Sequence, residues 1–110
     1  MAWFTDPVLY GELVKQKRNG LTIEIVADDN PRNREAEFNL EDEFPTHWVI
    51  IQSLYKNIMH DKFCIIDLNV VIHGTFNWTK AASYNKETIT IDRNRNTAER
   101  FADEFMKLKK

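Results

Sequence analysis

The stretch MHDKFCIIDLNVVIHGTFNWTK, residues 59–80, decides how this chain is read. It sets His60, Lys62 and Asp67 at H-x-K-x4-D spacing inside an otherwise apolar run, and follows them with Gly74, Thr75, Phe76 and Asn77. Two runs rich in β-branched residues flank Asp67-Leu68-Asn69, where Asn69 suits a left-handed turn conformation. The pattern therefore predicts a hairpin of strands 59–66 and 70–77. Alternation puts His60 and Lys62 on one face, and Thr75 and Asn77 on one face of the partner strand. Ionisable groups left unpaired on a half-buried strand cost on the order of several kcal/mol, so they must be paired, hydrated or used.

Upstream, Thr5 or Asp6 caps a helix that Pro7 opens, with apolar spacing through Val8, Leu9, Leu13 and Val14 and a basic end at Lys15, Lys17 and Arg18. LTIEIVA reads as a strand closed by DDNPRN. Residues 31–45 are polar and acidic and read as a loop with one or two helical turns. HWVIIQ reads as a further strand, and so does ETITID after the hairpin. The end of the chain, NTAERFADEFMKLKK, is an amphipathic helix with Ala98, Phe101, Phe105 and Leu108 on one stripe. These elements predict one α/β domain over residues 1–110, a sandwich built on one mixed sheet with flanking helices.

The composition agrees with an ordinary globular domain: 110 residues, 43% hydrophobic and 29% charged. No apolar run approaches the roughly 20 residues of a membrane helix, and no signal peptide is read at the start, so a cytoplasmic placement is expected. The single cysteine, Cys64, reads as a small core residue. A net charge of −2 lacks the broadly basic footprint of a general nucleic-acid binder, so any phosphate site must be local.

Taken singly, His60 reads as a structural histidine, Lys62 as a solvated strand residue, Asp67 as a turn residue and Asn77 as a strand-end cap. Taken together, H-x-K-x4-D-x6-G-T-x-N fixes six positions, a chance match rarer than about one in ten thousand on average residue usage. A neutral imidazole is a nucleophile, and an ammonium and an amide can hold the non-bridging oxygens of a phosphoryl group. The conjunction points to phosphoryl transfer through a histidine.

HDKFCIID, GTFNWTKAA and the following NKE resemble the signature of the phospholipase D superfamily, in particular its small single-motif branch of bacterial endonucleases and cardiolipin-hydrolase-like proteins. The stretch AWFTDPVLYGELVKQKRNGLTIEIVADD is similar to the strand–helix–strand that opens such domains, here without the usual first helix and most of the first strand. The segment between Asp28 and His47 aligns with nothing in that pattern. The resemblance implies catalytic roles for six residues. His60 is the nucleophile or its acid partner, Lys62 and Asn77 bind the phosphate, and Thr75 adds a hydroxyl donor. Asp67 supports the hairpin, and Glu87 orients His60 through its second ring nitrogen.

Displacement through a phosphohistidine needs a second histidine to protonate the leaving alcohol and later to activate water. This chain has one H-x-K, and His47 and His73 read as strand-end or turn residues, so a homodimer that brings two copies of His60 together is expected. No cofactor and no metal is called for, because Lys62, Asn77 and their symmetry mates supply the charge stabilisation. Lys56, Lys62, Lys80 and Lys86 flank the motif as a local basic groove, with Lys80 and Lys86 as candidate substrate contacts. The expectation is a metal-independent nuclease on DNA or RNA. The alternatives are a phospholipid hydrolase, with Trp48, Leu54, Tyr55 and Trp78 as interfacial residues, and a catalytically silent binding module.

Overall fold

The computed structural model describes residues 1–51, 54, 55 and 58–109, so Lys56 lies outside the described residues. Helix α1, Pro7–Arg18, starts where Asp6 accepts the Val8 N–H at 2.9 Å and ends on Lys15, Lys17 and Arg18, as its capping residues dictate. Its inner side packs on a core of Phe4, Val14, Ile25, Ala27, Leu40 and Phe44. Strand β1, Ile25–Asp28, is buried along its whole length. Strand β2, Thr46–Val49, lies parallel to it, Ile25 opposite Thr46 and Asp28 opposite Val49. The connection between them holds the two helical turns expected of the acidic segment, a short helix α2, Pro31–Arg34, and a 3₁₀ turn at Leu40–Asp42.

The second ladder is an antiparallel meander of β3, Phe63–Ile66, β4, Val70–Gly74, and β5, Ile89–Arg93. Helix α3, Arg95–Leu108, capped by Asn94, covers one face of it. Phe101 meets the Phe63 ring edge-on at 5.0 Å, and Ala98 and Val71 are fully buried. The α/β architecture with flanking helices is thus as expected.

Three local expectations need correction. In place of one sheet, the described residues form two ladders. Residues 1–5 join them: Asp28 N donates to Met1 O on the β1 side, while Ala2 N donates to Asp61 O and Trp78 N to Trp3 O on the other. The hairpin strands are shorter than 59–66 and 70–77, because beyond the Phe63–His73 pair the two chains part to bond residues 2–5. His60 and Lys62 therefore precede β3, and Thr75 and Asn77 follow β4. The left-handed positions in the turn are Asp67 and Leu68, at φ 55° and 51°, and not Asn69, whose N–H closes the turn on Ile66 O at 3.1 Å. Positive φ at both central residues matches the twist of the flanking strands, and Leu68 bears a cost of about 1–2 kcal/mol for it.

Candidate active site

Where the hairpin strands part they leave a cleft of about 530 Å³, whose lining includes His60, Lys62, Thr75, Asn77 and Glu87. Each of these is fixed by backbone that other segments hold. Met59 is buried, and its N–H donates at 3.1 Å to Oδ1 of Asp28, a carboxylate only 4% exposed whose other oxygen takes the Asn30 amide at 2.7 Å. Asp28 thereby anchors the residue immediately before His60. The His60 ring stands edge-on to Trp3, centroids 6.1 Å apart. Asn77 Oδ1 accepts the Trp3 N–H at 3.2 Å, which turns the amide N–H₂ outward as a donor.

Thr75 is placed by Thr88, the residue just before β5: its N–H donates to Thr88 O at 3.0 Å, and its Oγ1 accepts the Thr88 N–H at 2.9 Å, leaving the hydroxyl proton free. That approach depends on Gly74, at φ +144°, where a Cβ would sit 2.2 Å from Thr88 O.

Lys62 Nζ lies 3.0 Å from His60 Nδ1 and 3.2 Å from Nε2, and donates to His60 O at 2.8 Å. Burial pushes the Lys62 pKa below the ordinary lysine value, against the opposing pull of Asp61 and Glu87. The cleft thus holds an imidazole, an ammonium, an amide and a hydroxyl around one space large enough for a phosphoryl group. It carries Glu87 within electrostatic reach of Lys62.

The chain matches, over residues 1–109, the family described as "Cardiolipin synthase, PLD-like domain". It belongs to the phospholipase D-like family. Among relatives in that family, the Minor cardiolipin synthase ClsB of Bacillus subtilis (strain 168) is 30% identical over 83 residues, 73% of this chain and 21% of the relative. The Mitochondrial cardiolipin hydrolase of Chlamydomonas reinhardtii is 39% identical over 91 residues, 81% of this chain and 40% of the relative. The chain therefore spans less than half the length of these curated relatives. Among solved structures, the phospholipase D family member Nuc from Salmonella typhimurium superposes with a TM-score of 0.80 at 28% identity, over 96% of this chain and 71% of that one. NucT from Helicobacter pylori shares the fold at TM-score 0.77 and 22% identity, over 98% and 74% of the two chains.

Of the positions on which the resemblance to the phospholipase D superfamily rests, the cleft unites His60, Lys62, Thr75, Asn77 and Glu87. Glu87 was expected to orient His60; among the described residues the hydrogen-bond partner of the His60 ring is Lys62, and Glu87 faces the lysine electrostatically. Asp67 is elsewhere. It sits exposed in the turn at the far end of β3 from Lys62, outside the cleft lining. Lys80 and Lys86 are exposed on either side of the 3₁₀ turn Ala81–Tyr84, outside the lining as well. His47 pairs with Glu24 at 3.0 Å, away from the cleft.

His73 was read as a strand-end or turn residue, and the structure adds a second property. Its Nε2 lies 2.7 Å from Asp92 Oδ2, its ring stacks at a tilt on Phe101, and it lines the same cleft as His60. The signal was present in the sequence, since residues 73, 75 and 77 share strand parity. Among the described residues no three His, Cys, Asp or Glu side chains converge as a metal-ligand cluster.

Proposed function

We propose that the chain is a metal-independent phosphodiesterase that works through a phosphohistidine on His60, as a homodimer, with nucleic acid as its substrate. The observation that carries this reading is the contact of Lys62 Nζ with the His60 ring at 3.0 Å in a cleft shared with Asn77 and Thr75. A phosphodiester entering the cleft replaces the imidazole as the partner of the Lys62 ammonium, and the Asn77 amide and Thr75 hydroxyl donate to its non-bridging oxygens. A ring nitrogen of His60 attacks phosphorus, the bond from phosphorus to the leaving oxygen breaks, and the leaving alkoxide takes a proton from a second imidazole. Water then attacks phosphorus, the N–P bond breaks, and that second imidazole takes the water proton. The products are an alcohol and a phosphomonoester. His60 of a second copy supplies the second imidazole when a two-fold axis passes by the cleft.

A second reading, hydrolysis of a phospholipid, is favoured by one observation. Leu54 and Tyr55, in the segment leading to His60, are 98% and 88% exposed, as residues that enter a lipid interface must be. The other two residues proposed for that role are occupied: Trp78 packs on Phe4 at 5.0 Å, and Trp48 lies under the Arg34 guanidinium at 3.8 Å. Among the described residues no helix is long and apolar enough to cross a membrane. Two measurements test the proposal. Hydrolysis of bis(p-nitrophenyl) phosphate in the presence of EDTA, with a solution mass of twice 13.0 kDa, supports it. Absence of turnover with and without added divalent metal would leave only a silent module of the same fold.

A further inference from the structure

The short helix α2 is bolted to the strand-like segment that flanks the nucleophile. Asn33, 3% exposed, accepts the Phe4 N–H at 2.8 Å and donates to Ala2 O at 2.9 Å and Asp28 O at 2.8 Å. Every polar atom of that side chain is thus spent on fixing α2 against residues 2–4 and β1. The consequence falls on its neighbour. Arg32 is exposed, with its guanidinium 5.1 Å from the Trp3 ring centroid, and Trp3 is the ring that meets His60 edge-on at 6.1 Å. Imidazole, indole and guanidinium therefore follow one another in contact, starting from the cleft lining.

Among the described residues, cations that lie over an aromatic ring are Lys17, Arg32 and Arg34, and ion pairs already hold two of these three as well as several cations elsewhere. Arg34 is held by Asp29 and Glu41, Lys17 and Arg18 by Glu43, Arg95 by Glu99, and Lys109 by Glu24. Arg32 carries no ion pair among the described residues. An aromatic face orients a guanidinium while leaving its N–H edge free to receive an anion in a two-pronged contact. An unpaired, oriented arginine beside a phosphoryl-transfer cleft, on a rigid support, is built to hold a second negative group.

We infer that Arg32, seated on Trp3, is a subsite for the phosphate next to the scissile one in a single polynucleotide strand. The inference rests on the nucleic-acid reading of the cleft and deepens it. Trp3 acts as the positioning residue and Arg32 as the phosphate contact. The subsite gives a polymer an advantage over an isolated phosphodiester, because two adjacent phosphates are held at once.

The test is equilibrium binding of a fluorescein-labelled single-stranded DNA oligonucleotide to the full chain carrying His60→Asn, read by anisotropy over a range of NaCl concentrations. Each phosphate neutralised on a single strand contributes about 0.7 to the slope of log affinity against log salt. Arg32→Ala in that background should weaken binding at low salt and make the slope shallower by about 0.7. Arg32→Lys, which keeps the charge, should retain the slope. Arg100→Ala, an exposed cation on α3, should leave both quantities unchanged. An Arg32→Ala slope equal to that of the parent overturns the inference and leaves the nuclease reading standing. No oligonucleotide binding by the parent at low salt overturns the nuclease reading and the inference with it. The same holds if Arg32 governs only binding to anionic phospholipid vesicles.

Discussion

The Lys62 ammonium lies 3.0 Å from Nδ1 of His60 and is tied at 2.8 Å to the carbonyl of the same residue. Two side chains two positions apart are thereby held over one point of the cleft, although neither belongs to a regular strand. If Lys62 is the group that takes the charge of the phosphoryl oxygens, Lys62→Ala should lower kcat/KM on a phosphodiester by roughly 10²-fold or more, the scale for losing one preorganised donor. Steady-state kinetics on bis(p-nitrophenyl) phosphate measure it, and a loss below about threefold would remove Lys62 from that role.

The pH dependence follows from the same residue. Burial lowers the Lys62 pKa, and Asp61 and Glu87 partly restore it. The active form carries the ammonium, so kcat/KM should fall on the alkaline side with a limb below the ordinary lysine value. Glu87→Gln removes one restoring charge and should move that limb to still lower pH. For stability the sign is opposite to that of a salt-bridged lysine. The folded chain binds this proton more weakly than the unfolded one, so the contribution is fully present above the ordinary lysine value and is lost as pH falls through the lowered one. A limb that stays in place in Glu87→Gln would show that Glu87 does not act on Lys62.

Gly74 makes a prediction about folding. With φ at +144° and Thr88 O 2.2 Å from the position of a Cβ, Gly74→Ala must push β4 from β5 at the point where Thr75 is held. Thermal unfolding should show a loss of about 1–3 kcal/mol, the range for an imposed backbone strain, accompanied by reduced turnover. Unchanged stability would mean that the approach of Thr88 is not needed to place Thr75.

Asp28 is predicted to act on His60 at one remove. Its buried carboxylate takes the Met59 N–H and the Asn30 amide, so Asp28→Ala should leave the Met59 N–H short of its acceptor at a cost of about 1–3 kcal/mol, with the Asn30 amide kept only on its longer contacts to Ala2 O and Asp28 O. The expected kinetic signature is a lowered kcat with the alkaline limb kept in place, since Lys62 is not touched. Asp28→Asn, which keeps one acceptor oxygen, should recover part of both losses. Recovery of neither would argue against the Met59 tether.

Much of this was legible from residues 59–80 and from end signals alone. Asp6 and Pro7 announce α1, the stripe from Ala98 to Leu108 announces α3, and the motif brought five of its six expected catalytic residues to one cleft. What was hidden depends on partners distant in sequence. Residues 1–5 look like a short apolar piece, and only their bonds to Asp28, Asp61 and Trp78 make them the join between two ladders. Asn33 reads as loop polarity until its three buried hydrogen bonds are seen. Asp67 was grouped with the site because it shares the motif, yet a strand of four residues separates it from Lys62. His73 was set apart because it lacks the H-x-K spacing, although strand parity puts it with Thr75 and Asn77.

The central claim is that His60 is the nucleophile of a metal-independent phosphodiesterase, and the most direct measurement is hydrolysis of bis(p-nitrophenyl) phosphate in EDTA by the parent chain and by His60→Asn. The account predicts turnover by the parent and none above background by a variant whose melting temperature and solution mass are unchanged. Turnover retained by His60→Asn, or a parent that is silent in EDTA and active once a divalent metal is added, would contradict it.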